Sequence, residues 1–177
     1  TQIYSIGTWA TPIASLDLTN NVGLETLECS SNNLTVLDVS MLPNLEYLNC
    51  NSNSITSLDV SNNLALATLN FGLNPIVGSF DLSSHASLTS LGCFETQISG
   101  LNIANGNNSN FTKMQAWDNP NLTCIQVDDA VWSTTNWTDI DLTTNFSEDC
   151  GGSLAVDKIN AILLNIYPHP FLYTNKS

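Results

Sequence analysis

Apolar residues return in this chain at a nearly fixed interval, from its first positions to beyond residue 120, and any fold must accommodate that period before anything else. The clearest unit is 24–40, LETLECSSNNLTVLDVS, with apolar Leu24, Leu27, Cys29, Leu34, Leu37 and Val39 around one fixed polar position, Asn32. Moving back 21 residues reaches Ile3 (IYSIGTWATPI). Moving forward reaches Leu45 (LEYLNCNSNSI), Leu66 (LATLNFGLNPI), Leu88 (LTSLGCFETQI) and Phe111 (FTKMQAWDNPN). Six turns follow one another in steps of 21, 21, 21, 22 and 23 residues, with one extra residue between Ile76 and Phe80. Within a unit the spacing is neither that of a helix nor that of an uninterrupted strand. One such unit cannot bury its own apolar face, so the core must come from stacking neighbours.

Read as LxxLxCxxNxL, the unit resembles the leucine-rich repeat. The resemblance implies one short parallel strand per turn on the inner, concave wall of a solenoid. Six strands about 4.8 Å apart make a sheet roughly 25 Å wide. A second segment recurs in every turn: LDLT at Leu16, LDVS at Leu37 and Leu58, FDLS at Phe80, LNIA at Leu101 and IQVD at Ile125. Its alternation of apolar and polar residues suits an extended outer wall, so few or no convex helices are expected. The predicted fold is a mostly β, curved solenoid with a parallel concave sheet and a C-terminal cap. The solenoid is assigned to 1–122, the cap to 123–150, and a linker with a tail to 151–177.

The cap is expected where the spacing becomes irregular after Leu122, because an open last turn needs a cover with a polar outer side. Trp132, Trp137, Ile140 and Phe146 are the expected apolar underside of that lid. Turns of 21 residues carrying Cys and LDVS, closed by CIQVDD and SEDC, are similar to secreted leucine-rich repeat proteins of Bacteroidota such as flavobacteria. In the tail, Asn165-Ile166-Tyr167-Pro168-His169-Pro170-Phe171 is similar to the YPNP opening of a type IX secretion sorting domain, with His169 where the motif has Asn. That resemblance implies a secreted or cell-surface protein and a partial sorting domain. The absence of a leader before Thr1 reads as a mature secreted fragment.

Sixteen acidic residues against three lysines, Lys113, Lys158 and Lys176, leave a formal net charge of -13. Phosphate backbones and anionic headgroups require Lys and Arg, so no nucleic-acid partner is expected. No apolar run reaches the roughly 18 residues of a span, so no direct membrane insertion is expected either. The five cysteines divide by position. Cys29, Cys50 and Cys93 take the inward place that Thr8, Phe71 and Ala116 fill in other turns, as buried core filler. Cys124 and Cys150 bracket the cap and are expected to form a disulfide, leaving three free thiols.

Catalysis has little support: His85, assigned to an outer loop, and His169 have no fixed partner, and shallow repeated walls rarely hold a nucleophile with its base. No enzyme activity, cofactor or metal site is expected. Asp17, Asp38, Asp59 and Asp81 should form one column on the outer wall, compensated by N–H groups of the neighbouring turn, with calcium as the alternative. Recognition is expected on the concave wall. One stripe there reads Ser5, Thr26, Tyr47, Thr68, Ser90, Lys113; the next reads Gly7, Glu28, Asn49, Asn70, Gly92, Gln115; and the third reads Trp9, Ser30, Asn51, Gly72, Phe94, Trp117. The expected ligand-binding patch is Phe94, Trp117, Leu73, Gln115, Glu95 and Asp118, extended by Tyr47 and Asn70, with the two rings forming a platform for a sugar face or an apolar anchor. Protein and carbohydrate ligands both fit such a surface, for a monomer or a part of a larger chain. The alternative is a structural spacer or adhesin stalk.

Overall fold

A computed structural model describes residues 2–5, by backbone path, and 12–151. The tail beyond Gly151, with its sorting-domain resemblance, and the first-turn positions Gly7 and Trp9 lie outside the described residues. The inner wall is a six-stranded parallel sheet formed by β1 (Gln2–Ser5), β2 (Leu24–Glu28), β3 (Tyr47–Asn49), β4 (Thr68–Asn70), β6 (Ser90–Gly92) and β8 (Lys113–Gln115), in chain order. The outer wall carries a four-stranded parallel sheet of β5 (Val77–Asp81), β7 (Gln97–Asn102), β9 (Cys124–Gln126) and β10 (Asn145–Ser147). One helix, α1 (Ala130–Asn136), lies between β9 and β10. The architecture is therefore the mostly β, repeat-built solenoid that the period implies.

From β2 onward the pairing follows the repeat: Thr26, Tyr47, Thr68, Ser90 and Lys113 stand in register, as do Glu28, Asn49, Asn70, Gly92 and Gln115. The first turn departs from it. Tyr4, rather than Ile6, pairs with Leu27, and the register shifts between Gln2 and Ile3. A two-residue slip keeps the alternation of faces, so the period-two pattern does not forbid it. On the outer wall the β5–β7 register shifts: Gly78, at φ 93°, pairs with Ile98, and the next residue, Ser79, pairs with Gly100, so that Ser99 of β7 is passed over.

The two walls enclose a single apolar core. Leu24, Leu27, Cys29, Leu34, Leu37 and Val39 of the second turn are all buried, and their counterparts repeat along the chain. Phe71 interrupts the inward cysteines, stacking on Phe80 of the outer wall with ring centroids 4.6 Å apart. The polar position inside this core is satisfied by a ladder. Oδ1 of Asn32, Asn53, Asn74 and Asn119 accepts N–H groups of the preceding turn, from Ile13, Leu34, Ile55 and Thr96 at 3.0 to 3.2 Å. The matching Nδ2 groups donate to the carbonyls of Cys29, Cys50, Phe71 and Ala116. Buried backbone groups demand partners, and an Asn at the fixed position supplies them in these four turns, with Thr96 in its place in the fifth.

The region assigned to the cap adds to both walls: β9 pairs with β7 on the outer wall and β10 adds a further strand, while Ala116 bridges Ile140 on the inner wall. The irregular apolar spacing that marks this region comes from α1, whose Asp129 caps it by accepting the Trp132 N–H at 2.9 Å. Trp137 and Phe146 are buried, with Trp132 and Ile140 packed against them. Cys124 and Cys150 are joined by a disulfide, and Cys29, Cys50 and Cys93 are free and buried.

Candidate functional site

The concave wall presents the side chains that alternate with the buried Leu positions, so strand register alone decides which residues share it. Phe94 and Trp117, one turn apart, stack with centroids 4.9 Å apart and planes 14° apart. Side chains on adjacent parallel strands are separated by little more than the strand spacing, so the two rings overlap face to face as a column. One face of Phe94 is turned to Gly72: a Cβ there would lie 2.8 to 2.9 Å from three ring carbons. Glycine at 72 is what lets the ring lean across the third stripe. Likewise Asn70 leans over Gly92, whose Cβ would meet its Oδ1 at 2.8 Å.

Leu73, Glu95 and Asp118 follow the column on the loop that leaves the strand. Each has a positive φ of 51 to 55°, as do Ser31 and Ser52 at the same place in earlier turns. A left-handed non-glycine residue recurring once per turn is a property of the repeat. It aims the N–H at the next turn: Ser31 to Asn51, Ser52 to Gly72, Leu73 to Phe94 and Glu95 to Trp117. At Asp118 a side chain takes the place of that carbonyl: the Asp141 carboxylate accepts the N–H groups of Asp118 at 2.8 Å and Asn119 at 2.7 Å. Sequence reasoning missed Asp141, and placed Gly72 in the third stripe without the ring that leans over it. Their signals were positional: an Asp one turn beyond Asp118, and a Gly in a column with rings.

The structure groups the expected patch unevenly. Phe94, Trp117, Leu73, Glu95 and Asp118 are neighbours, and Gln115 lies beside Trp117 with its Nε2 3.5 Å from Asp139 Oδ2. Asn70 borders them across Gly92. Tyr47 belongs to a different group, donating its hydroxyl hydrogen to Glu28 Oε2 at 3.2 Å, where Asn49 Nδ2 also donates at 2.8 Å. Burial and the Glu28 charge raise the Tyr47 phenol above its ordinary value, so it stays a hydrogen-bond donor.

Three other expectations meet the structure here. The column of Asp17, Asp38, Asp59 and Asp81 is compensated within each turn, not by the neighbouring turn as expected. Each Oδ1 accepts the N–H two residues on, from Thr19, Ser40, Ser61 and Ser83, at 2.9 to 3.0 Å. A local Asx turn closes over two residues without needing the next repeat in place. The hydroxyl and then the N–H of Ser40 and Ser83, and the N–H and then the hydroxyl of Thr19 and Ser61, hold the four carboxyls below the ordinary carboxylate value. His85 does lie in the loop between β5 and β6, but it is not without a partner: it is 1% exposed, with Nε2 donating to the Val60 carbonyl at 3.1 Å. The free thiols are poor nucleophiles and metal ligands, since burial pushes Cys29 and Cys93 up to about 12 and Cys50 well above its usual value. Among the described residues no group of three or more His, Cys, Asp or Glu is placed to hold a metal ion, and no helix is long and apolar enough to cross a membrane.

A parallel inner sheet, an Asn ladder and a capped last turn define a leucine-rich repeat solenoid. Residues 22–65 match the family model of leucine-rich repeats, in two copies. The chain is also similar to a solved structure described as the functional domain of InlJ from Listeria monocytogenes, which includes a cysteine ladder. The two share 28% identity over 66% of this chain, with a TM-score of 0.53. The match takes in 29% of that chain, so this sequence covers less than a third of its length. No curated protein matches the sequence.

Proposed function

We propose that this chain is a non-catalytic recognition module that binds a protein or glycan on its concave wall, outside the cell, as part of a secreted or surface protein. The supporting observation is the Phe94–Trp117 column on the open face of the inner sheet, bordered by Leu73, Glu95, Gln115, Asp118 and Asn70. Aromatic anchors surrounded by amides and carboxylates are where interfaces concentrate their energy. Tyr47 with Glu28 and Asn49 forms a second polar contact group two turns away on the same wall. The Bacteroidota resemblance and the type IX-like tail motif support an extracellular location. The similarity to InlJ supports a place within a longer protein.

The test is a glycan array and a pull-down of extracellular proteins on one sample, each repeated with Trp117→Ala. A ligand of the concave wall should lose at least about thirtyfold in affinity, the effect of removing an aromatic anchor. Met114→Ala is the structural control: Met114 is 5% exposed beneath the same strand, and its truncation should destabilise the solenoid by about 2 to 5 kcal/mol. If Trp117→Ala and Phe94→Ala both leave an identified ligand's affinity unchanged, the concave wall is not the binding surface and the spacer reading replaces it.

A further inference from the structure

The junction between the sixth turn and the cap holds a groove of about 450 Å³ that the concave column does not use. Its aromatic side comes from Phe111, Trp132 and Trp137, with Trp137 tilted 50° to Phe111 and 88° to Trp132 at centroid distances of 5.3 and 5.5 Å. Trp137 is 7% exposed, while Phe111 and Trp132 are half-buried. Lys113, Thr138 and Asp139, all exposed, bring polar groups to the same groove. Its volume lies in the range of small-molecule sites, but those are lined predominantly by apolar groups, and this one is not.

Lys113 is the one Lys or Arg among the described residues of a chain with net charge -13, and it pairs with no described carboxylate. Asp139 shares the groove without forming an ion pair with it. A ligand seated in the groove therefore has a cationic donor and an anionic acceptor within the same lining, beside indole rings. An acidic sugar would be disfavoured by Asp139 and by the field of the whole chain, and a purely apolar ligand would desolvate both charges without compensation. An uncharged acetamido group offers a carbonyl to the ammonium, an N–H to the carboxylate and a methyl to the rings, while a pyranose ring adds an apolar C–H face and hydroxyls.

We propose that this groove is a binding site for an N-acetylated amino sugar. The inference does not rest on the Phe94–Trp117 column, although the groove shares β8 with the concave wall through Lys113 and touches it through the Gln115–Asp139 contact. The full chain is titrated with the β-1,4-linked trimer of N-acetylglucosamine, followed by tryptophan fluorescence and calorimetry, with the corresponding glucose trimer as comparator. Saturable binding of the acetylated trimer is expected, with the glucose trimer at least about tenfold weaker. Lys113→Gln and Asp139→Asn should each weaken binding about tenfold or more, and Trp132→Ala should abolish it. Because Lys113 and Asp139 are exposed, their variants report on the site even if removing Trp132 disturbs the cap. The proposal is overturned if the acetylated trimer does not bind, if both trimers bind equally, or if binding survives all three substitutions. Binding lost in Trp117→Ala but kept in Trp132→Ala also overturns it, and assigns the sugar to the concave column instead.

Discussion

Asn74→Ala tests the ladder that ties one turn to the next. Asn74 is 2% exposed, and its Nδ2 donates to the carbonyls of Cys50, Phe71 and Gly72 at 3.0 to 3.1 Å, while its Oδ1 accepts the Ile55 N–H at 3.0 Å. Two of the carbonyls keep another donor after truncation: Cys50 retains Asn53 Nδ2, and Gly72 retains the Ser52 N–H. The Phe71 carbonyl and the Ile55 N–H are left without the partner they had, inside the core. At about 1 to 3 kcal/mol for each buried unsatisfied group, the loss should be roughly 2 to 6 kcal/mol. Asn74→Thr should lose less, and the chain already contains the comparison. At the equivalent position of the fifth turn the one Thr96 hydroxyl hydrogen has two acceptors in reach, Asn119 Oδ1 at 2.5 Å and the Cys93 carbonyl at 3.1 Å, and the Ile76 N–H turns instead to the Asn74 carbonyl at 2.8 Å. Urea unfolding followed by circular dichroism measures both variants. A loss under about 1 kcal/mol for Asn74→Ala would show that water or local adjustment replaces the ladder, refuting the argument.

The remaining predictions concern charge, the cap and the concave face. The carboxyls of Asp17, Asp38, Asp59 and Asp81 are depressed in the folded chain by hydrogen bonds to Thr19, Ser40, Ser61 and Ser83, so their contribution to stability is complete above the ordinary value of 3.8 and is lost as the pH falls through the lower folded values. Melting temperature measured against pH should therefore drop in acid, and the drop should shrink when all four are changed to Asn; an unchanged acid limb contradicts the assignment. Thiol titration of the denatured, unreduced chain should find three free thiols, and reducing the Cys124–Cys150 bond, whose partners are 26 residues apart, should loosen the cap before the repeats, with about 3.5 kcal/mol of chain-entropy stabilisation removed. Gly72→Ala should displace the Phe94 ring from its place over residue 72, seen as a change in near-ultraviolet circular dichroism, with the repeats still folded; an unchanged spectrum means that the ring never rested there.

Much of the architecture is legible in the sequence because a solenoid is a one-dimensional object. The apolar positions around Leu24, Leu27 and Leu34, the fixed Asn32 and the inward cysteines recur one turn apart, and stacking requires only that each turn repeat the last. The same logic aligned Phe94 with Trp117 and Tyr47 with Thr68 before any coordinates. What the linear pattern did not contain was direction at the level of single side chains and closure at the ends. Stacking of Phe94 on Trp117, the space left by Gly72, and the removal of Tyr47 to Glu28 depend on rotamers that neighbouring turns select. The capture of exposed N–H groups by Asp141, the burial of His85 and the groove between Phe111 and Trp132 arise where the period changes or one turn departs from it. A repeat specifies what lies above and below an average turn, whereas the last turn, and any residue that differs from its column, is determined only by the three-dimensional neighbours it meets.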